Sequence, residues 1–304
     1  MNDAYNSRIG RAVDFIQANL GADLSVKQLA DLACFSEFHF SRVFRAEMGE
    51  SVHQFIQRLR LEKAAELLRS NPGMPITDIA LACGYATSSA FAKGFKKQFG
   101  MSASMWREQA RDSSGKPAGP DKISRGQFSV DNGVPVWTFD SEKTPRRVAV
   151  KNLAPVAVAY IRYIGPYQGN DVLFDDLYAR LYQWAVPQGH VTGPATRYNI
   201  YYDNPDITAH RQLRVMAAIP VPDRAIASDT VGITTLDGGQ YAVCRFLLPK
   251  EGFTRAWEWM FTAWFKTSGY ALDNRAFFEK YLGETTRDGC RLFDVEICVP
   301  VRPI

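Results

Sequence analysis

The sequence predicts a multidomain chain of α and α+β class. An all-α domain with two helix-turn-helix units comes first, and a pseudo-symmetric α+β domain built on an antiparallel sheet follows. Three observations carry this. Residues 24–49 and 75–100 repeat one another, a second repeat relates the two halves of the region beyond residue 146, and a stretch rich in Gly, Pro and Ser separates the two regions. The expected domains are 1–110 and 146–304, with 111–145 as a linker.

In the first repeat, Leu29-Ala30 falls on Ile79-Ala80 at an offset of 50, and Phe40, Phe44 and Gly49 fall on Phe91, Phe95 and Gly100 at an offset of 51. One turn is therefore a residue longer than the other. Ser25 followed by Gln28 fits a capping box, and Ser36 suits the cap of the next helix. Phe40 with Phe44, and Phe91 with Phe95, lie four apart on one helical face, as core residues of a small bundle do. Phe38, Ser41, Arg42 and Arg45 then face outward in the first copy, and Ser88, Ser89, Ala92, Lys93 and Lys96 in the second. A helix with aromatics on one side and small, polar and basic residues on the other suits a major groove.

Between the copies, Ser51 to Ser70 has no Gly or Pro. It places Val52, Phe55, Ile56, Leu59, Ala64, Leu67 and Leu68 at helical spacing, then stops at Ser70-Asn-Pro-Gly73. Twenty helical residues span roughly 30 Å, close to the ~34 Å between successive major-groove faces. One chain then offers two reading helices, as a helix-turn-helix dimer does. Cys34 stands where the second copy has Gly84 in its turn, so either it accepts glycine's conformation or the turns differ. Gly94 inside the second reading helix costs about 1 kcal/mol relative to Ala. With the short Ser88, Ser89 and Ala92, it leaves more of the sequence discrimination to the first unit.

Residues 20–108 resemble the DNA-binding domain of the AraC/XylS family of bacterial transcription regulators. Ile76-Thr-Asp-Ile-Ala-Leu-Ala-Cys-Gly-Tyr85, Phe91 to Gly100 and Ser102 to Trp106 are the most diagnostic stretches. The resemblance implies base reading by Phe38, Ser41 and Arg42 in the first unit and by Ser88, Ser89 and Lys93 in the second. Arg42 is the strongest reader, because a guanidinium pairs bidentately with guanine.

Composition agrees without pointing here alone. The 304 residues carry a net charge of +4, and residues 1–111 hold 14 Lys/Arg against 11 Asp/Glu. Groove binding needs local basic faces rather than a large total charge. No apolar run approaches the ~20 residues of a membrane span, and the N-terminus lacks the form of a signal peptide, so no membrane partner and a cytoplasmic location are expected. The five cysteines and four histidines show no metal-ligand spacing, so no metal or cofactor is expected. Cys34 and Cys83 sit in apolar helical context and are expected to pack. His39 and His53 are expected on the helix surface or groove side.

Arg111-Asp-Ser-Ser-Gly-Lys-Pro-Ala-Gly-Pro-Asp121 reads as linker, and Asp131-Asn-Gly133 within residues 126–139 favours a small hairpin. In the second domain, Arg162, Pro166 and Gly169 correspond to Arg245, Pro249 and Gly252 at an offset of 83. Trp184, Gly189 and Ile219-Pro-Val221 correspond to Trp264, Gly269 and Val299-Pro-Val301 at an offset of 80. Val156–Ile164 and Tyr241–Leu248 read as strands, Val172–Ala185 and Phe253–Thr267 as helices. Two halves of strand, loop, helix and two strands would form one sheet with both helices on one face. The opposite face, at the junction of the halves, is then expected to take a ligand.

This domain resembles the GyrI-like, or Rob C-terminal-like, effector-binding domain. Val156 to Tyr167, Tyr201-Tyr-Asp-Asn-Pro205, Ala276 to Leu282 and the final Val299-Pro-Val301 carry the resemblance. It departs at Gln168, where many relatives carry an acidic residue, and at Leu248-Pro-Lys250. The family implies an aromatic cavity with a glutamate at its floor, by motif Glu279, lined by Tyr167, Tyr201, Tyr281 and one or more of Trp257, Trp259 and Trp264. A carboxylate among ring faces suits a lipophilic cation. The alternative places Glu279 on the surface beside Lys280 or Arg275. Trp184 and Trp264 look more like equivalent core residues.

The sequence is thus read as a bacterial transcription regulator, more an activator than a repressor. Its expected partners are double-stranded promoter DNA, RNA polymerase and a small amphipathic or cationic effector. No catalytic residue is assigned, and no Ser/His/Asp order or phosphate loop favours a general enzyme. The competing readings are a GyrI-like hydrolase using Glu279 and a nearby tyrosine, and a toxin-sequestering protein fused to a DNA-binding domain.

Overall fold

A computed structural model describes residues 3–113, 129–131, 134–136, 148–191, 196–265, 268–273, 275–287 and 289–303. It divides into two compact units: residues 1–115 with the short segments 203–209 and 226–232, and the rest of the chain.

The first unit is helical: α1 Asp3–Ala18, α2 Val26–Leu32, α3 Glu37–Met48, α4 Val52–Ser70, α5 Ile76–Ala82, α6 Ser88–Phe99 and α7 Ala103–Ser113. Its helix starts follow the sequence. Ser25 accepts from the Gln28 amide and Ser36 from the His39 amide, while the full reciprocal box forms at Ser51 with Gln54. Both reading helices end on a left-handed glycine, Gly49 and Gly100. The seven apolar positions of α4 are all buried, 19 residues giving a rod of about 28 Å. Its first half closes over α1, α2 and α3 through Phe40, Phe44 and Phe55, and its second over α5, α6 and α7 through Phe91, Phe95 and Trp106. Arg58 also lies on the buried side of α4, paired with Glu50 and Glu62, a charged insertion that apolar spacing does not reveal.

Several details were not foreseen. Helix α1 sends Ile9, Val13 and Ile16 into the first core. Helix α7 continues to Ser113, inside the stretch read as linker, and Trp106 donates its indole N–H to the Ala65 carbonyl at 3.1 Å. Cys83 is buried, its thiol pushed up to about 11 by desolvation, but Cys34 is exposed rather than packed. It holds the left-handed conformation at φ +54° that Gly84 holds at φ +80°, so the first turn keeps glycine's geometry without glycine. Of the two histidines, His53 is exposed and His39 is half-buried with its ring against Phe35.

The hairpin forms, β1 Ser129–Asp131 against β2 Val134–Val136; the remainder of the segment from 114 to 147 lies outside the described residues. The second unit holds β3 Ala149–Leu153, β4 Val156–Ile164, α8 Asp171–Ala185, β5 Arg197–Tyr201, β6 Arg214–Pro220, β7 Gly232–Leu236, β8 Gly239–Leu248, α9 Phe253–Trp259, β9 Tyr270–Leu272, β10 Phe277–Arg287 and β11 Cys290–Pro303. The sheet order is β3-β8-β11-β10-β5-β6-β4-β7, with β9 on β11.

That order is a palindrome. One half contributes β5, β6 and β4, the other β10, β11 and β8, and the halves join through the antiparallel β5–β10 pair. Sequence reading missed each half's leading strand: β3 shifted by 83 residues is β7, and each pairs with the other half, β3 on β8 and β7 on β4. The helix expected over 253–267 is α-helical only to Trp259 and π-helical over Met260–Trp264. Such π turns often mark functional positions. Trp184 and Trp264 are half-buried rather than core, Trp184 facing His190 and Trp264 stacking on Tyr270 at 6.1 Å.

Candidate functional site

Two sets of side chains were expected to act, and they lie in different units. On α3, Phe40 and Phe44 are fully buried at ring distance 5.5 Å, which turns Phe38, Ser41, Arg42 and Arg45 to solvent. On α6, Phe91 and Phe95 do the same at 5.4 Å, leaving Ser88, Ser89, Lys93 and Lys96 exposed. Phe38 is 80% exposed, a large apolar ring in water at the start of a reading helix. A Cβ on Gly94 would meet the Tyr85 hydroxyl and the Leu61 methyls at 3.5 to 3.8 Å, ordinary contact, so its small size is not demanded by close packing.

In the second unit, strand alternation decides which residues meet. Residues 199 and 201 of β5 and 277, 279 and 281 of β10 share a face, and Glu279 stands directly across from Asn199. Both helices cover this face: Tyr178 of α8 donates its hydroxyl to Asn199 Oδ1 at 2.7 Å, and Trp257 of α9 donates Nε1–H to Glu279 Oε1 at 2.7 Å. The opposite face is filled by buried Val158, Tyr160, Ile200, Met216, Tyr241 and Phe278. The expectation of a ligand face opposite the helices is therefore wrong. Alternation along β10 puts the glutamate on the helix-bearing side.

Glu279 is 2% exposed. Its Oε2 accepts from the Tyr201 hydroxyl at 2.6 Å, the Tyr281 hydroxyl at 2.8 Å and, more weakly, Asn199 Nδ2 at 3.4 Å. All four donors are neutral, and among the described residues no ion pair reaches this carboxylate. The surface alternative fails, because Lys280 faces Glu296 and Arg275 is taken by Asp273 and the Gly238 and Gln240 carbonyls. Burial raises the Glu279 carboxyl above the ordinary carboxylate range, against the opposing pull of its hydrogen bonds. Burial likewise holds the Tyr201 and Tyr281 hydroxyls well above theirs, so both remain donors.

Tyr167, Tyr201, Glu279 and Tyr281 converge here, joined by Trp257 of the three tryptophans offered, while Trp264 stacks on Tyr270. Tyr167, 5% exposed, lies 5.5 Å from the Tyr201 ring, and Trp257 meets Tyr201 edge-on at 5.8 Å. The wall continues through residues that sequence reading missed. Phe253 stacks on Tyr281 at 6.1 Å, Phe261 on Trp257 at 6.1 Å, and Phe277 meets both Trp257 and Phe261 edge-on. Arg197 lies over the Tyr178 and Tyr281 rings, its charge committed to Glu284 at 3.1 Å. Asn199 was legible in principle, since the 80-residue offset carries Glu279 onto it. Among the described residues no group of three or more His, Cys, Asp or Glu is placed to hold a metal, and no helix is long and apolar enough to cross a membrane.

Fold and geometry together define a class: an AraC-type helix-turn-helix domain joined to a domain of the small-molecule-binding kind. The chain belongs to the family of the GyrI-like small molecule binding domain, whose profile matches residues 147–302, and the helix-turn-helix domain profile matches residues 29–109. It is similar to a DNA gyrase inhibitor of Cronobacter sakazakii, 36% identical over 106 residues, 34% of this chain and 66% of that one. Another similar protein is the probable transcriptional regulator LumQ of Photobacterium leiognathi, 29% identical over 94 residues, 31% of this chain and 38% of LumQ. The chain thus spans about two-fifths to two-thirds of these relatives' lengths. Among solved structures, it resembles the C-terminal domain of the response regulator AraT from Geobacillus stearothermophilus, with 35% identity, a TM-score of 0.32, and coverage of 34% of this chain and 84% of that one.

Proposed function

We propose that this chain is a sequence-specific DNA-binding transcription regulator, an activator, that works on double-stranded promoter DNA and RNA polymerase under control of a small cationic, lipophilic effector. The observation that carries the reading is a buried carboxylate, Glu279, ringed by aromatic side chains and, among the described residues, satisfied by neutral donors alone. Such a group is costly to ionise alone and gains most from a desolvated cation. The effector's charge takes a place now held by one of those donors, while Tyr167, Tyr201, Trp257 and Tyr281 supply ring faces. Trp257 is the donor carried by a helix rather than by the sheet. In the first unit, Arg42, Arg45, Lys93 and Lys96 hold phosphates and guanine edges, and Phe38 meets an apolar base edge.

Selection of bound duplexes from a random pool at about 150 mM salt tests the regulator, because phosphate binding alone is salt-sensitive and carries no sequence preference. Two enriched elements, one of them blurred in Arg42→Ala, are expected. A pool with no enriched sequence would overturn the reading. The selected duplex then serves a transcription assay with and without tetraphenylphosphonium.

A hydrolase reading draws on one observation, the 2.6 Å contact between the Tyr201 hydroxyl and a carboxyl whose proton affinity is raised. The sensor reading stands above it because both oxygens of Glu279 accept from neutral donors, Trp257 on Oε1 and the two tyrosines on Oε2, an arrangement whose missing positive charge a desolvated cation supplies. In Glu279→Gln a sensor loses cation affinity, whereas a hydrolase loses turnover and keeps binding.

A further inference from the structure

The turn after α1 and the turn after α5 belong to different helix-turn-helix halves, yet they meet without room for a methyl group. A Cβ on Gly21 would lie 2.9 Å from the Ala82 carbonyl oxygen, and one on Gly84 would lie 2.7 Å from the Leu20 oxygen. Arg60, from the middle of α4, threads the same seam. Its Nε donates to the Leu20 oxygen at 2.9 Å and its Nη2 to the Ala22 oxygen at 2.7 Å, while its Cζ would be 2.8 Å from a Gly84 Cβ. Gly84 is thus favoured by its positive φ, which Cys34 adopts at a cost in the other half, and demanded by the close approach of the Leu20 oxygen and Arg60. The guanidinium satisfies carbonyls of the turn after α1 while passing close to Gly84 in the turn of the second half.

We propose that Arg60 is a positioning residue that fixes the two reading helices relative to one another, so that the protein accepts its two DNA elements at one spacing only. A single helix such as α4 bends and twists under load; a second, non-covalent attachment off its axis removes that freedom. Arg60 suits this task because its planar fork spans two carbonyls at once, which an ammonium does not. The geometry of the seam stands on its own, whereas its consequence for spacing rests on the DNA-reading proposal above.

The test has two arms. In the first, spin labels are placed at exposed Ala46 on α3 and Gln98 on α6, in a full chain carrying Cys34→Gly and Cys290→Ser, and the inter-label distance is measured by pulsed dipolar spectroscopy without DNA. One narrow distance is expected with Arg60 present and a broadened distribution in Arg60→Met, which keeps the packed stem and removes the donors. Arg60→Lys should recover part of the narrowing. Equal distributions in all three would overturn the proposal. In the second arm, one base pair, about 3.4 Å and 35° of rotation, is inserted between the selected elements. The parent should lose about tenfold or more in affinity, the scale of a disrupted site, and Arg60→Met less than about threefold. An unchanged spacing penalty in Arg60→Met would sink the proposal, since mere destabilisation weakens both duplexes alike. If the parent prefers no sequence, the DNA-reading proposal falls, and the distance measurement still decides whether Arg60 fixes the helices.

Discussion

Glu279 and Asn199 face each other across the β5–β10 pair, and they are the same position of the two halves, 80 residues apart. Tyr281 and Tyr201 are likewise equivalent, and both give their hydroxyls to Glu279. The site therefore sits on the pseudo-two-fold relation of the domain, with a carboxylate on one side and its neutral amide counterpart on the other. Duplication accounts for the paired tyrosines, and the single acid makes the pair unequal.

That inequality sets a pH dependence. A carboxyl raised by burial binds its proton more tightly folded than unfolded, so its contribution to stability is full below its unfolded value near 4.5 and is lost as pH rises through the folded value. Denaturant unfolding of wild type and Glu279→Gln across pH 4.5 to 7.5 should show wild type losing ground to the variant as pH rises. A difference that grows in favour of wild type would contradict the burial argument. Cation binding selects the ionised form, so effector affinity should increase over the same range.

Asn199→Asp places a second carboxylate against the first. Asn199 now donates Nδ2 to the Tyr281 hydroxyl at 3.1 Å and accepts from Tyr178, and an aspartate loses the donation while adding like charge. We expect a stability loss of about 2 kcal/mol or more at pH 7 and a smaller loss at pH 5, since burial and the neighbouring charge both favour protonation of the pair as pH falls. Equal losses at both pH values would show that charge is not the cause.

The left-handed turn at Cys34 offers a stabilising change. A non-glycine residue there costs about 1–2 kcal/mol, part of it returned by glycine's greater freedom in the unfolded chain. Cys34→Gly should raise the stability of the helical unit by up to about 1 kcal/mol in chemical denaturation, since it gives this turn the residue type that Gly84 supplies at the equivalent position.

Gly94 makes the converse case. Its Cβ would meet Tyr85 and Leu61 at 3.5 to 3.8 Å, ordinary contact distances, so Gly94→Ala should gain about 1 kcal/mol of helix stability. Unchanged selectivity in the duplex selection would show that the glycine is not needed for approach to DNA.

The sequence carried the helical unit well, because capping serines and aromatic pairs four apart are local signals that packing did not override. Repeat offsets conveyed the doubled sheet. They did not convey that each leading strand joins the opposite half, a pairing set by topology rather than pattern. Glu279 and its tyrosines were found by motif, but the face they occupy was misread, since an alternating strand does not say which side its helices cover. Phe253, Phe261 and Phe277 escaped notice because apolar rings on helix and strand look alike whether they fill a core or line a site.

The most direct test of the account is calorimetric titration of the full-length chain with tetraphenylphosphonium and with the neutral triphenylphosphine oxide, in wild type and Glu279→Gln at pH 7.5. Tighter binding of the cation by wild type, weakened about tenfold or more in the variant while the neutral compound is unaffected, is the predicted result; tenfold corresponds to about 1.4 kcal/mol, within reach of one charged contact. Equal cation affinity in wild type and variant would contradict the assignment of Glu279 as the effector's charge partner.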